Sequence, residues 1–238
     1  LNVFLHFKTA IKVDCEIVIF LLEKSTVLED PLVQALKLSA RLDLVHRLAI
    51  SDDLGPALHS AVSNRNTDLD VVRFLNEKDP NARNMKNEKG FLPLHLALSN
   101  HASLDVIRYL LESHNDASCV CDTRGWLPLH IAVEKGMCVE ILNELLKLNP
   151  KATEHRCTNG RYALQIALAN EADLLTIECV LHNVAAQGKM DTMSGKLPLH
   201  WVANHKFHKE NSLDIVRALL KAYPDAVHQL DRRDKTPL

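Results

Sequence analysis

Aromatic side chains are scarce in this chain, 5% of its 238 residues, so its core must be built from Leu, Val, Ile and Ala. Sheets draw on β-branched and aromatic residues, whereas Leu, Ala and long straight-chain residues favour helices. A mostly α chain is the expectation. Glycine is equally thin, seven residues. None stands in a phosphate-cradling Gly-rich loop, and no G-x-S-x-G nucleophile turn occurs. An excess of one charge is also missing. The formal net charge is -2, which gives no overall pull toward nucleic acid or an anionic membrane. Paired cysteine motifs are absent too. Cys15, Cys119, Cys121, Cys138, Cys157 and Cys179 form no C-x-x-C and no disulfide framework, which predicts free thiols in a reducing, intracellular compartment, cytoplasmic or nuclear. The longest apolar run, Ile17 to Leu22 between Glu16 and Glu23, falls far short of the ~20 residues a membrane helix needs. No membrane span is expected in this segment.

What the chain does have is self-similarity. Gly90-Phe-Leu-Pro-Leu-His-Leu-Ala returns as Gly125-Trp-Leu-Pro-Leu-His-Ile-Ala, Gly160-Arg-Tyr-Ala-Leu-Gln-Ile-Ala and Gly195-Lys-Leu-Pro-Leu-His-Trp-Val, with the glycines 35 residues apart. An amphipathic stretch follows each copy. It runs Leu104 to Leu111, Val139 to Leu146, Leu174 to Leu181 and, after an insertion at 205–211, Leu213 to Leu220. The positions Leu104, Val106, Ile107, Leu110 and Leu111 have the spacing of one helix face.

The period and the motif resemble the ankyrin repeat, a helix–turn–helix unit of about 33 residues that opens on T-P-L-H-x-A. The structural motif is literal at Pro93, Leu94, His95, at Pro128, Leu129, His130 and at Pro198, Leu199, His200. Leu92, Leu127 and Leu197 take the place of the usual Thr. Degenerate copies extend upstream, with Leu58, Leu32 and Leu5 standing where Leu94 stands. The expected fold is therefore an ankyrin-type α-solenoid, one array over 1–238. Copies within 1–77 are degenerate with short linkers, and those within 78–238 are full length with the last one cut. The first copy starts mid-motif and the last breaks off after Thr236-Pro237-Leu238, which predicts that the chain is a fragment. Weak points are Lys8 in the first copy and Asn76 in the third, each where an apolar residue belongs.

Local rules agree with the repeat. Proline at the start of each inner helix loses nothing, since its missing N–H would be unpaired anyway. Asp68, Ser103, Asp173 and Ser212 precede outer helices as N-cap formers. Pro80, Pro150 and Pro224 close them. The resemblance implies projecting β-turn fingers at about 78–92, 113–127, 148–162, 183–197 and 222–236.

Thirteen histidines invite a search for metal or catalysis. Five of them, His6, His59, His95, His130 and His200, occupy one repeat position, which predicts a backbone-bonding role between units. His205 with His208, and Cys119 with Cys121 near His114, are too sparse for a metal site. No catalytic residue, metal or cofactor is assigned. The resemblance implies instead a protein-binding scaffold, monomeric, with no nucleic-acid partner. An alternative is the regulatory or targeting arm of a larger enzyme, such as a kinase, or of a membrane channel. Residues free to vary are the ones expected to touch the partner. Phe91, Trp126, Arg161 and Lys196 follow the repeat glycines, Lys235 takes the matching place, and Arg124 stands on a finger tip. Phe91 and Trp126 are expected to be exposed.

Overall fold

A computed structural model describes residues 54–181, 195–204 and 212–237. Among these residues ten α-helices alternate as inner and outer members of five hairpins. The inner helices are α1 (Gly55–Val62), α3 (Pro93–Ser99), α5 (Pro128–Glu134), α7 (Ala163–Ala169) and α9 (Pro198–Asn204). The outer helices are α2 (Leu69–Lys78), α4 (Leu104–Ser113), α6 (Val139–Leu148), α8 (Leu174–Leu181) and α10 (Ser212–Ala222). No strand occurs among the described residues. The first two copies, the insertion at 205–211 and most of the finger expected at 183–197 lie outside them.

Each inner helix packs on the next inner helix and on its own outer helix, so a single core runs the length of the stack. Leu58, Leu94, Leu129, Leu164 and Leu199 form one spine of that core, all nearly inaccessible to water. Val106, Ile107, Leu110 and Leu111 of α4 are buried, as are Ile141, Leu142, Leu145 and Leu146 of α6. Leu104 departs from the expected stripe and is 41% exposed. It is the first residue of its helix, and side chains lean toward the helix N-terminus, which carries this one past the packed surface. Asn76 is buried, and its Nδ2 donates to Tyr109 Oη at 2.9 Å across the repeat boundary. It is therefore a polar link in the core rather than only a defect.

The helix starts follow local chemistry. Asp68, Ser103 and Asp173 accept backbone N–H groups from Asp70, Val106 and Thr176. Cys138 caps nothing with its side chain, and Ser212 is itself the first residue of α10. Pro150 and Pro224 follow outer helices and open short 3-10 turns, Pro150–Glu154 and Pro224–His228. Ala152 and Ala226 tuck into the core from these turns, as Ala82 and Ala117 do from the matching turns Ala82–Asn84 and Asn115–Cys119.

Candidate functional site

The fingers grow out of one repeated turn. Asn87 Oδ1 accepts the N–H groups of Lys89 and Phe91, Asp122 Oδ1 those of Arg124 and Trp126, and Asp231 Oδ1 those of Arg233 and Lys235. The turn then needs a residue with positive φ. Gly90, Gly125, Gly160 and Gly195 supply it, and Asp234 does so at φ 55. Neighbouring fingers are joined by their backbones. Thr123 N and Oγ1 both donate to Lys89 O, and Thr158 N and Oγ1 both donate to Arg124 O. The approach is close. A Cβ built on Gly90 would meet Thr123 at 3.0 Å, and one on Gly125 would meet Thr158 at 3.2 Å.

The recurrent histidine ties finger to inner helix. His95 Nδ1 accepts from Leu92 N while Nε2 donates to Val120 O of the next finger. Neutral imidazole with its proton on Nε2 is the only form that makes both bonds. Burial pushes His95 down to about 4, against the pull of Asp122. His200 repeats the arrangement with Leu197 N and Lys235 O. Gln165 reproduces it with an amide, its Oε1 accepting from Tyr162 N and its Nε2 donating to Lys196 O. His59 bridges the carbonyls of Gly55 and Phe91. His130 is the exception. It is inaccessible, neither nitrogen reaches a partner in full hydrogen-bond geometry, and burial followed by the charge of His155 lowers it to about 4, against a weaker pull from the His155 backbone. His6 lies outside the described residues.

The side chains expected to meet a partner are not independent. Arg124 lies 4.4 Å from the Trp126 ring centroid and 5.7 Å from that of Phe91. Arg161 lies 4.8 Å over the ring of Trp201, and Lys196 Nζ lies 5.7 Å from the same ring. A cation over an aromatic face is attracted by the ring quadrupole. Two clusters result, one on each side of the α5–α6 hairpin. Lys235 is exposed beyond them. Trp126 corrects the expectation of an exposed aromatic. It is 8% accessible, with its ring 6.1 Å from that of His130 and Arg124 above it. The turn folds the indole inward, and covering so large an apolar surface favours that orientation. Phe91 is half-buried, stacked on His95, and walls a hollow of about 530 Å³ with Met85, Lys89 and Leu96. Trp201 was not among the expected site residues, because it stands inside the repeat motif. Its signal was available: the same position is Leu96, Ile131 and Ile166 in the other copies.

The cysteine and histidine sites gather no metal set. Cys121 Sγ lies 3.4 Å from His155 Nε2, not against His114. Among the described residues no three metal-ligating side chains converge. The pair His205 and His208 lies outside them. Among the same residues no helix is long and apolar enough to cross a membrane.

A stack of helix pairs with backbone-linked fingers and a His or Gln bridge at most steps is a family architecture. The family model for ankyrin repeats in three copies matches residues 5–121, 58–154 and 129–229. The chain belongs to the ankyrin repeat family. Ankyrin repeats are protein–protein interaction modules. Among curated proteins none matches the sequence significantly. Among solved structures, the array is similar to the ankyrin repeat domain of Bcl-3, described as a unique member of the IkappaB protein family. The two share 25% identity and a TM-score of 0.62, over 76% of each chain. That domain is one of 409 matching chains, so the likeness carries the ankyrin fold and singles out no partner.

Proposed function

We propose that this ankyrin array is a monomeric, non-catalytic scaffold of a reducing intracellular compartment, holding a partner protein along its fingers and inner helices. The observation that carries this is the row of cations laid over rings on one face: Arg124 on Phe91 and Trp126, then Arg161 and Lys196 on Trp201. Arginine and aromatic side chains held rigidly together lose little freedom on binding, and they dominate protein interfaces energetically. The outer helices hold contacts of this kind too, Arg73 over Tyr109 and Lys78 over Phe74, but both are confined to α2 and α4. Their exposed apolar residues, Leu104, Leu175 and Leu213, stand singly on α4, α8 and α10, and isolated surface leucines are ordinary.

Photo-cross-linking tests the face. A cross-linking amino acid placed at Lys235 or Arg161 should trap a protein from extract, and one at Arg217 on α10 should not. Trapping from Arg217 alone would move the contact to the outer helices and sink the proposal.

A further inference from the structure

The fingers are linked in one direction, each donating back to the one before it. Thr123 donates to Lys89 O and Thr158 to Arg124 O, while His155 Nε2 donates to Gly125 O at 3.0 Å. The finger at 78–92 stands first among those described. On it Glu88 takes the place of Thr123 and Thr158, and Met85 takes the place of His155. Among the described residues nothing accepts from Glu88 N. The turn itself satisfies the other N–H groups from Asn87 to Phe91. Glu88 is exposed, and Met85 is 37% exposed. The ladder therefore starts with a spare donor beside an uncovered apolar side chain.

A hollow of about 530 Å³ opens next to them, with apolar walls from Pro56, Met85, Phe91 and Leu96. Gly55 also lines it, and this is the residue at which a finger leading into α1 would end. The sequence provides no such finger. Leu32 and Leu58 are 26 residues apart, against 36 for Leu58 and Leu94, and the shortfall includes the linker between Ala49 and Gly55. An unpaired backbone edge is a template for another chain, and an extended peptide uses such an edge for affinity and a side-chain pocket for selectivity. Phe91 makes the hollow continuous with the row of cations over rings, since Arg124 lies 5.7 Å from its ring centroid.

Resting on the scaffold reading, we infer that the start of the finger ladder docks an extended segment of the partner as an added rung. A backbone carbonyl of that segment accepts from Glu88 N, and a neighbouring apolar side chain enters the hollow between Met85, Phe91 and Leu96.

Glu88→Pro tests the rung. Glu88 is the second residue of a turn closed by Gly90 N on Asn87 O at 2.8 Å, a position where proline is favoured, so the variant loses the spare N–H and keeps the fold. Peptides are selected from a random library on the full chain, and the labelled winners are measured by anisotropy. The winners should share an aliphatic or aromatic residue and slow hydrogen exchange at the Glu88 amide. Their affinity should fall about 10-fold with Glu88→Pro, and as far with Met85→Asp at an exposed site. It should stay within about 2-fold with Glu88→Ala, which keeps the N–H, and with Arg217→Glu on α10. Winners lost with Arg161→Glu yet indifferent to Glu88→Pro would overturn the rung and keep the finger face. Winners indifferent to every finger variant would overturn both. An empty selection would overturn the rung. So would slow exchange of the Glu88 amide in the chain alone, in favour of residues 1–53 as the occupant, or a dimer lost with Glu88→Pro, in favour of a second copy.

Discussion

At the residue scale, Trp126 and Arg161 occupy related positions and have opposite duties. Trp126 is 8% accessible and packs between Arg124 and His130. Trp126→Ala should therefore cost about 3–5 kcal/mol of stability by chemical denaturation, and any loss of binding would follow from that. A neutral result would mean that the ring is dispensable to the finger. Arg161→Ala removes a half-buried cation from a ring face and should cost about 1 kcal/mol or less. The sequence marked both positions as variable. It could not say which way each side chain turns, because the 35-residue period specifies where a residue stands and not what covers it. Trp201 was missed for the converse reason. Its place in the motif reads as core, while its ring also serves as the platform for Arg161 and Lys196.

Helices and their joints were far more legible. Proline, N-cap and apolar stripe mark nearly every boundary in the described repeats, because each marks a backbone need that few residues meet. The joint from inner to outer helix was not read. It needs a left-handed residue, supplied by Gly136 at φ 62 but by His101 at φ 55 and Glu171 at φ 53. Nothing in the pattern of side chains announces that conformation. Non-glycine residues cost about 1–2 kcal/mol there, partly offset by glycine's greater freedom when unfolded. Glu171→Gly should then stabilise the chain by about 0.5–1 kcal/mol, seen as a higher denaturant midpoint. A lower midpoint would show that the Glu171 side chain contributes more than its backbone costs. The mirror-image change, Gly136→Ala, meets open space and should be destabilising through φ alone.

For the whole molecule, the family and the helical repeat architecture were legible, since a repeat states its fold several times over. The pairing of Arg161 and Lys196 with the Trp201 ring was not, because it joins neighbouring repeats and no single copy announces it. Buried His95 and His130 give the array a collective response to acid. Both fall to about 4 in the folded state from 6.5. Below 6.5 the unfolded chain takes up protons that these rings refuse. Stability should be level above that pH, fall as pH drops from 6.5 toward 4, and level off below. Each ring contributes up to about 3 kcal/mol of that fall. Urea midpoints at pH 7 and 4.5 check it, and His95→Gln, which copies Gln165, should flatten the slope. The finger ladder has another consequence. Thr123 meets Lys89 as Thr158 meets Arg124, each by the same two bonds. The stack is thus a one-dimensional crystal, and residues 125–159 are one unit cell. Excising them joins Arg124 to Gly160, leaves Asp122 to cap the new turn, and lets α3 receive α7 where α5 lay. The shortened chain should still unfold cooperatively, with a denaturant slope reduced in proportion to the lost layer, as a lattice loses one plane and keeps its spacing.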